Sequence, residues 1–304
     1  MDKHPSILII GFIVIIVLAI LVAFGGGSNG EEVTLSMSLF EVDISVFLFC
    51  AILVFLINWV AYIPAMLAET EHYYDLIGSV TYIVVITVAI FLTASFNWRA
   101  LMVSLMVVAW AMRLGAFLFI RVKRNGRDDR FDEVKVDPLK FLVAWTLQAF
   151  WVLLTVACAL VVITNGNDQP LDLITIVGIF FWFLGFMIEV IADQQKCAFR
   201  KKAENKNKFI SSGLWAWSQH PNYFGEIILW SGMALIAVPV LVGWQWVAVI
   251  SPFFIYLLLT KGSGIPTLEE KAQAKWGDND KYQRYIQDTG ILFPLIFTKT
   301  ISKN

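Results

Sequence analysis

Residues 172–200 read DLITIVGIFFWFLGFMIEVIADQQKCAFR, and their reading decides the fold. The stretch 172–192 is apolar almost throughout and matches the roughly 20 residues a helix needs to cross the hydrocarbon core of a bilayer. It then turns abruptly charged: Lys196, Arg200, Lys201, Lys202, Lys206 and Lys208 crowd into 196–208. An apolar run that ends in a basic segment is the pattern of a membrane helix leaving the bilayer on its cytoplasmic side.

Further apolar runs of similar length lie near 7–24, 44–67, 76–95, 100–120 and 140–163. A longer one, 223–260, is about twice a span. It is interrupted at Pro239 and Gly243, so it reads as two short helices in a hairpin. The expected fold is therefore an all-α polytopic transmembrane bundle of about seven to eight spans. Composition agrees: of 304 residues 58% are hydrophobic, only 15% are charged, and the mean hydropathy is +0.71. Soluble domains carry about 25% charged residues.

The connections set the orientation. Segment 121–140 holds Arg121, Lys123, Arg124, Arg127, Arg130, Lys135 and Lys140, and the tail from Lys261 onward is also basic. Segments 25–43 and 164–172 contain no Lys or Arg. The positive-inside rule then places the basic segments and both termini in the cytoplasm, and eight spans satisfy the alternation. The acidic connection 69–75 is the exception, because it belongs on the cytoplasmic side yet has no basic residue of its own. Residues 1–40 read as a transmembrane or signal-anchor segment with an acidic loop. The first span resembles a signal peptide, but its apolar run is long and no A-x-A site follows, which favours retention. Trp98, Trp215, Trp217 and Trp244 fall near expected membrane interfaces.

Several function classes drop out. A net charge of −1 gives no basic field for nucleic acid, and three scattered cysteines and three scattered histidines form neither a disulfide framework nor a metal site. The lone G-x-G at 262–264 follows no strand, so it is not a dinucleotide fingerprint and no Rossmann domain is expected. There is no P-loop, no Ser-His-Asp spacing and no transporter-like internal repeat.

Candidate chemistry lies at three helix mouths: 121–130, 193–226 and 261–294. Polar groups at membrane depth are costly and mark function. Steps of four, three and four put Glu189, Asp193, Lys196 and Arg200 on one helix face, two acids deep and two bases at the exit. That arrangement suits a ligand with a polar body and an anionic end, although internal ion pairing with snorkelling lysines is the plainer account of it. Next, Gly213 to Glu226 carries Trp215, His220, Pro221, Asn222, Tyr223 and Glu226. Pro221 suits a helix start, and Trp215, Tyr223 and the free amides there offer stacking faces and donors for a nucleotide. The third mouth carries Lys261, Glu269, Tyr282 and Tyr285, the two tyrosines spaced to pack one short amphipathic helix. Arg113, inside the fourth span, requires a partner.

Together these segments resemble the steroid 5α-reductase superfamily, most closely a bacterial branch of unassigned function. The matching residues are Asp75-x-x-Gly78, Trp110-Ala-Met-Arg113-Leu-Gly115, Arg121 with 127–130, Glu189-x-x-Ala192-Asp193-x-Gln195-Lys196, Phe199-Arg200, His220-Pro-Asn-Tyr-Phe-Gly-Glu226, and Glu269 through Tyr282-x-x-Tyr285 to Phe293-Pro294. The resemblance covers about 70–294 and makes 41–304 one steroid-reductase-like membrane domain. It implies an integral bacterial inner-membrane enzyme that holds NADPH at its cytoplasmic end and transfers hydride to an activated C=C bond of a lipid or steroid-like substrate. By position it assigns cofactor contacts to Arg127, Asp193, Arg200, Trp215, Asn222 and Glu226. With the residues read directly, the cofactor set becomes Arg127, Glu189, Asp193, Lys196, Arg200, Trp215, His220, Asn222, Tyr223, Glu226, Lys261 and Glu269. The superfamily's usual arginine before His220 is Gln219 here, one cation fewer. Its substrate-polarising Glu–Tyr pair is also missing, the positions falling near Asn58 and Trp110. Asp75, Tyr82 and Glu69 are the substitutes expected to act as acid or donor. Two other functions fit parts of the pattern. An S-adenosylmethionine-dependent methyltransferase of the isoprenylcysteine or phospholipid type shares the His-Pro-x-Tyr-x-Gly element and the tail, and a non-catalytic lipid-binding protein fits the missing pair.

Overall fold

The computed structural model describes residues 5–37, 40–94, 97–125, 131–167, 169–262 and 264–293. Eight helical stretches among them are long and apolar enough to cross a membrane, which makes this an integral membrane protein built almost wholly of helices. The chain divides into two compact units, residues 1–172 with 237–251, and 173–236 with 252–304.

The first unit contains α1 (Pro5–Gly27), a hairpin of β1 (Glu32–Met37) and β2 (Phe40–Ser45), α2 (Val46–Leu67), α3 (Tyr74–Leu92), α4 (Trp98–Asn125) and α5 (Pro138–Thr164). Its axis is α5, which packs against α1, α2, α3 and α4. Every residue from Val152 to Thr164 is buried. A helix that is apolar on all sides belongs in an interior, and this one is surrounded. Asp137 starts it, accepting the backbone N–H groups of Leu139 and Lys140 at 3.0 and 3.1 Å ahead of Pro138. Those amide bonds, first that of Lys140, hold the Asp137 carboxyl below the usual carboxylate range.

The connections gather at opposite ends of this unit. At one end Lys135 Nζ meets Glu71 Oε2 at 2.7 Å, and Arg121 meets Asp75 at 3.4 Å. The acidic connection 69–75 therefore takes its counter-charges from Lys135 in the basic connection and from Arg121 near the end of α4. At the other end Glu31 joins two loops, its N–H donating to Thr164 O at 2.8 Å and its carboxylate accepting Ala94 N–H. Asn165 donates to Val240 O and to Gln245 Oε1, and Gln245 donates to Ser28 O. The acidic segment after α1, expected as a loop, is an antiparallel hairpin with Thr34 opposite Asp43 and their side chains bonded at 2.6 Å.

The second unit contains α6 (Leu173–Lys201), α7 (Pro221–Ala237), most of α8 (Ile250–Lys261), α9 (Ile265–Trp276) and α10 (Asp280–Asp288). Four glycines join α6 to α7. A Cβ on Gly178 would meet Gly232 O at 2.7 Å, and one on Gly225 would meet Gly185 O at 2.6 Å and Glu189 N at 2.7 Å. Backbone therefore lies against backbone, the close antiparallel crossing that small residues allow in membrane helices. The expected hairpin within 223–260 is a looser bend, two 3₁₀ turns at Val238–Val240 and Gly243–Val249 with Gly243 at φ +53°.

Burying one partner of an ion pair alone costs about 3–5 kcal/mol, less where water reaches the survivor. Glu71 has a fully buried side chain and Lys135 is 21% exposed. Lys135→Met is expected to cost about 2–4 kcal/mol in equilibrium unfolding in mixed micelles. The double variant Glu71→Gln/Lys135→Met should recover most of that loss; equal destabilisation of both variants would rule the pairing out.

Candidate functional site

The end of α6 grades from inside to outside. Glu189 is 2% exposed and Asp193 6%, Lys196 is half-buried, and Arg200 is exposed. The acids are buried and the bases lie toward the exposed end of the helix. Gly225 packs against the backbone of Glu189, so the glycine crossing also sets where α7 delivers buried Glu226.

Between the two helices, the 3₁₀ turn Gly213–Ala216 carries Trp215 down onto α6. Gly213 sits at φ +64°, and a Cβ there would strike the Gln195 side chain at 2.5 Å. Gln195 Oε1 accepts Leu214 N–H at 2.9 Å, and Trp215 Nε1 donates to Ala192 O at 3.0 Å. Trp215 is thereby buried with Ala192 and Ile210 rather than standing in an interfacial belt, unlike exposed Trp98, Trp217 and Trp244. Over its ring lies the Lys196 ammonium, 4.3 Å from the centroid. A cation on an indole face gains from the ring quadrupole.

His220 comes next, stacked on Tyr223 at 5.6 Å with the planes 13° apart. Burial, with the Lys196 charge adding to it, pushes the imidazole down to about 4. His220 is therefore neutral at physiological pH. Asn222, half-buried in the first turn of α7, follows Pro221 at the helix start.

The C-terminal segment clasps this loop. Gln219 donates its side-chain amide to Ile286 O (3.1 Å) and Thr289 O (2.6 Å), and its N–H to Gly290 O (2.9 Å). Ser218 Oγ donates to Leu292 O, and Tyr285 OH donates to Trp215 O at 2.7 Å. Burial, then neighbouring Tyr282, holds the Tyr285 hydroxyl far above the ordinary tyrosine value. Gln219 thus works as a backbone tether, a role the sequence reading did not see. The signal was an amide in place of a cation, but carbonyls 67 and 70 residues downstream are not visible as partners in a linear sequence.

Trp215, Lys196, His220 and Tyr223 therefore converge, on the frame that buries Glu189, Asp193 and Glu226. Lys261 and Glu269 belong to a different feature of the same unit. They line an open cavity of about 490 Å³ with Tyr256, Ile265, Pro266 and Gly290–Phe293. Arg127 lies outside the described residues.

In the first unit, Asp75 is in the first turn of α3, paired with Arg121. Tyr82, two turns on, is buried edge-on against Trp110 at 5.1 Å. Glu69 is not brought to them; it is exposed in the turn after α2, at φ +47°. Arg113 finds the ring of Phe117 at 5.9 Å among its contacts. A polar chain crosses the interior instead. Gln148 Nε2 donates to Asn58 Oδ1 at 2.9 Å and to Tyr74 O at 3.1 Å, and Asn58 Nδ2 donates to Val54 O and Thr81. Gln148 was overlooked because a single amide in an apolar run has no periodic partner.

Among the described residues no three His, Cys, Asp or Glu side chains group as a metal site. A model of the family described as "Protein of unknown function (DUF1295)" matches residues 61–289. Over 120 residues the chain is 28% identical to the rat "3-oxo-5-alpha-steroid 4-dehydrogenase 1", which covers 39% of this chain and 40% of that protein. It is 31% identical over 120 residues to the cotton (Gossypium hirsutum) "Steroid 5-alpha-reductase DET2", covering 40% of the chain and 42% of the relative. A macaque (Macaca fascicularis) "3-oxo-5-alpha-steroid 4-dehydrogenase 1" is 26% identical over 132 residues, 43% of the chain and 45% of the relative. The chain thus matches under half the length of each of these relatives. No solved structure matches.

Because folding suppresses His220 protonation, the unfolded chain binds that proton more readily and stability rises with pH. The His220 contribution is complete above its ordinary value of 6.5 and is lost as pH falls towards about 4. At about 1.4 kcal/mol per pH unit, the loss amounts to roughly 3 kcal/mol. Melting curves between pH 7 and 4 should fall less steeply for His220→Gln than for the wild type; parallel curves would disprove the assignment.

Proposed function

The chain belongs to the DUF1295 family, and from that membership and its likeness to steroid 5α-reductases we propose an NADPH-dependent membrane reductase acting on an activated C=C bond of a lipid or steroid-like substrate. The observation that carries this reading is the Lys196 ammonium held over the Trp215 ring beside the neutral His220–Tyr223 stack, at the basic exit of α6.

The donor set fits the cofactor's chemistry. Lys196 and Arg200 are one helical turn apart and give two cations for its phosphates. Glu189, Asp193 and Glu226 give buried acceptors for hydroxyl and amide donors. The aromatic faces of Tyr223 and His220 suit planar rings, and Asn222 adds an amide at the start of α7. When bound, NADPH supplies the hydride. Neutral His220 neither adds a positive charge beside Lys196 nor loses its ability to donate one hydrogen bond. Arg127 is proposed as a further cation for the phosphates. In the first unit, Tyr82 is proposed as the hydroxyl donor to the substrate and Asp75, ion-paired with Arg121, as the carboxylate that orients it, with Glu69 as a peripheral acid. The basic connections and the cofactor residues are assigned to the cytoplasmic side by the positive-inside rule.

The test is ligand protection of the purified full chain in detergent. At a hundred times its dissociation constant a ligand stabilises by about 2.7 kcal/mol, so NADPH should raise the melting temperature clearly. Lys196→Ala/Arg200→Ala should weaken NADPH binding by about tenfold to a hundredfold, the worth of one or two charge-assisted bonds. Protection by S-adenosylhomocysteine and not by NADPH would make the protein a methyltransferase instead, and protection by neither would leave the non-catalytic reading.

A further inference from the structure

The cavity lined by Lys261 and Glu269 is built where α8, the last apolar helix, gives way to the polar helices α9 and α10. Its volume of about 490 Å³ lies inside the roughly 300–1,000 Å³ of ordinary small-molecule sites. One wall is the extended segment 290–293. That wall is held in place from behind, because Ser218 and Gln219 hydrogen-bond the carbonyls of Thr289, Gly290 and Leu292. The opposite wall is the last turn of α8, where Thr260 Oγ1 bonds back to Tyr256 O and adds no donor to the cavity.

Two features identify a ligand. First, the cavity carries one charge of each sign, and among the described residues Lys261 and Glu269 form no ion pair with each other or with any other side chain. Secondly, exposed apolar side chains line and adjoin it. Phe253 and Leu257 lie along α8, and Ile291 and Phe293 along the facing segment. A polar head with both signs of charge, joined to apolar tails, complements both features.

The geometry points to this cavity as a binding site for a zwitterionic phospholipid head, with the phosphate on Lys261, the ammonium on Glu269 and the acyl chains along Phe253, Leu257 and Phe293. The site is separate from the Trp215–His220 cluster, and it does not depend on the reductase reading.

The test uses delipidated full-length protein in detergent, titrated with dihexanoyl phosphatidylethanolamine and followed by native mass spectrometry. Three controls accompany it: dihexanoyl phosphatidylglycerol, which lacks the ammonium; phosphoethanolamine, which lacks the chains; and NADPH. Phosphatidylethanolamine should be retained better than phosphatidylglycerol or phosphoethanolamine. Lys261→Gln and Glu269→Gln should each weaken it by about threefold to fivefold, in the range for a partly exposed charge pair. Thr260→Phe, which fills the cavity without touching a charge, should weaken it as well. Equal retention of phosphatidylglycerol, full competition by phosphoethanolamine alone, or variants that bind phosphatidylethanolamine like the wild type would each overturn the proposal. So would charge variants that lose NADPH affinity while keeping the lipid.

Discussion

The contact on which the candidate site depends is the backbone-to-backbone crossing of α6 and α7. Gly178, Gly185, Gly225 and Gly232 leave no side chain between the helices, and a single added Cβ at Gly225 would press into the main chain of Glu189. In a bilayer, apolar side chains gain little by leaving lipid for one another, so close packing of small residues has to hold such helices together. That closeness has a chemical consequence. It shields Glu189 and Asp193 on one helix and Glu226 on the next from water, while the ends of the same helices reach the polar region with Lys196, Arg200 and Asn222.

The loop between these helices is held by hydrogen-bond tethers as well as by the packing of Phe209 on Trp276, Tyr282 and Tyr285 and of Ile210 and Trp215 on Ala192. Gln195 holds Leu214, Ala192 takes the Trp215 indole N–H, Tyr285 takes the Trp215 carbonyl, and Gln219 and Ser218 hold the chain at 286–292. Each bond satisfies a backbone group that burial would otherwise penalise by about 1–3 kcal/mol. Trp215 is therefore fixed at both its ring edge and its carbonyl, and Lys196 can rest on a face that does not move away. The C-terminal segment is structural in this sense, and it is also one wall of the Lys261–Glu269 cavity.

The first unit handles its polar groups differently. Glu71 and Asp75 meet Lys135 and Arg121 near one end, whereas Asn58, Thr81 and Gln148 satisfy one another in the interior. The charged pairs lie where connections reach the polar boundary, and the neutral amides lie within the apolar helices. This division follows the cost of burial, which is far larger for an ion than for an amide.

Sequence alone determined the architecture and made half of the candidate site legible. Apolar length and basic connections identify membrane helices without tertiary information, because the bilayer imposes its thickness on each span independently. Glu189, Asp193, Lys196 and Arg200 were legible because a single helix sets their spacing, and Trp215, His220 and Tyr223 because they are close in sequence. Tertiary structure decided what depends on distant partners. It paired Glu71 with Lys135, moved Trp215 from the interface into the core, made Gln219 a tether, left Glu69 exposed, and gave Lys261 and Glu269 a cavity of their own. Those outcomes rest on contacts between residues tens of positions apart, and no local periodicity encodes which of several buried polar groups will find each other.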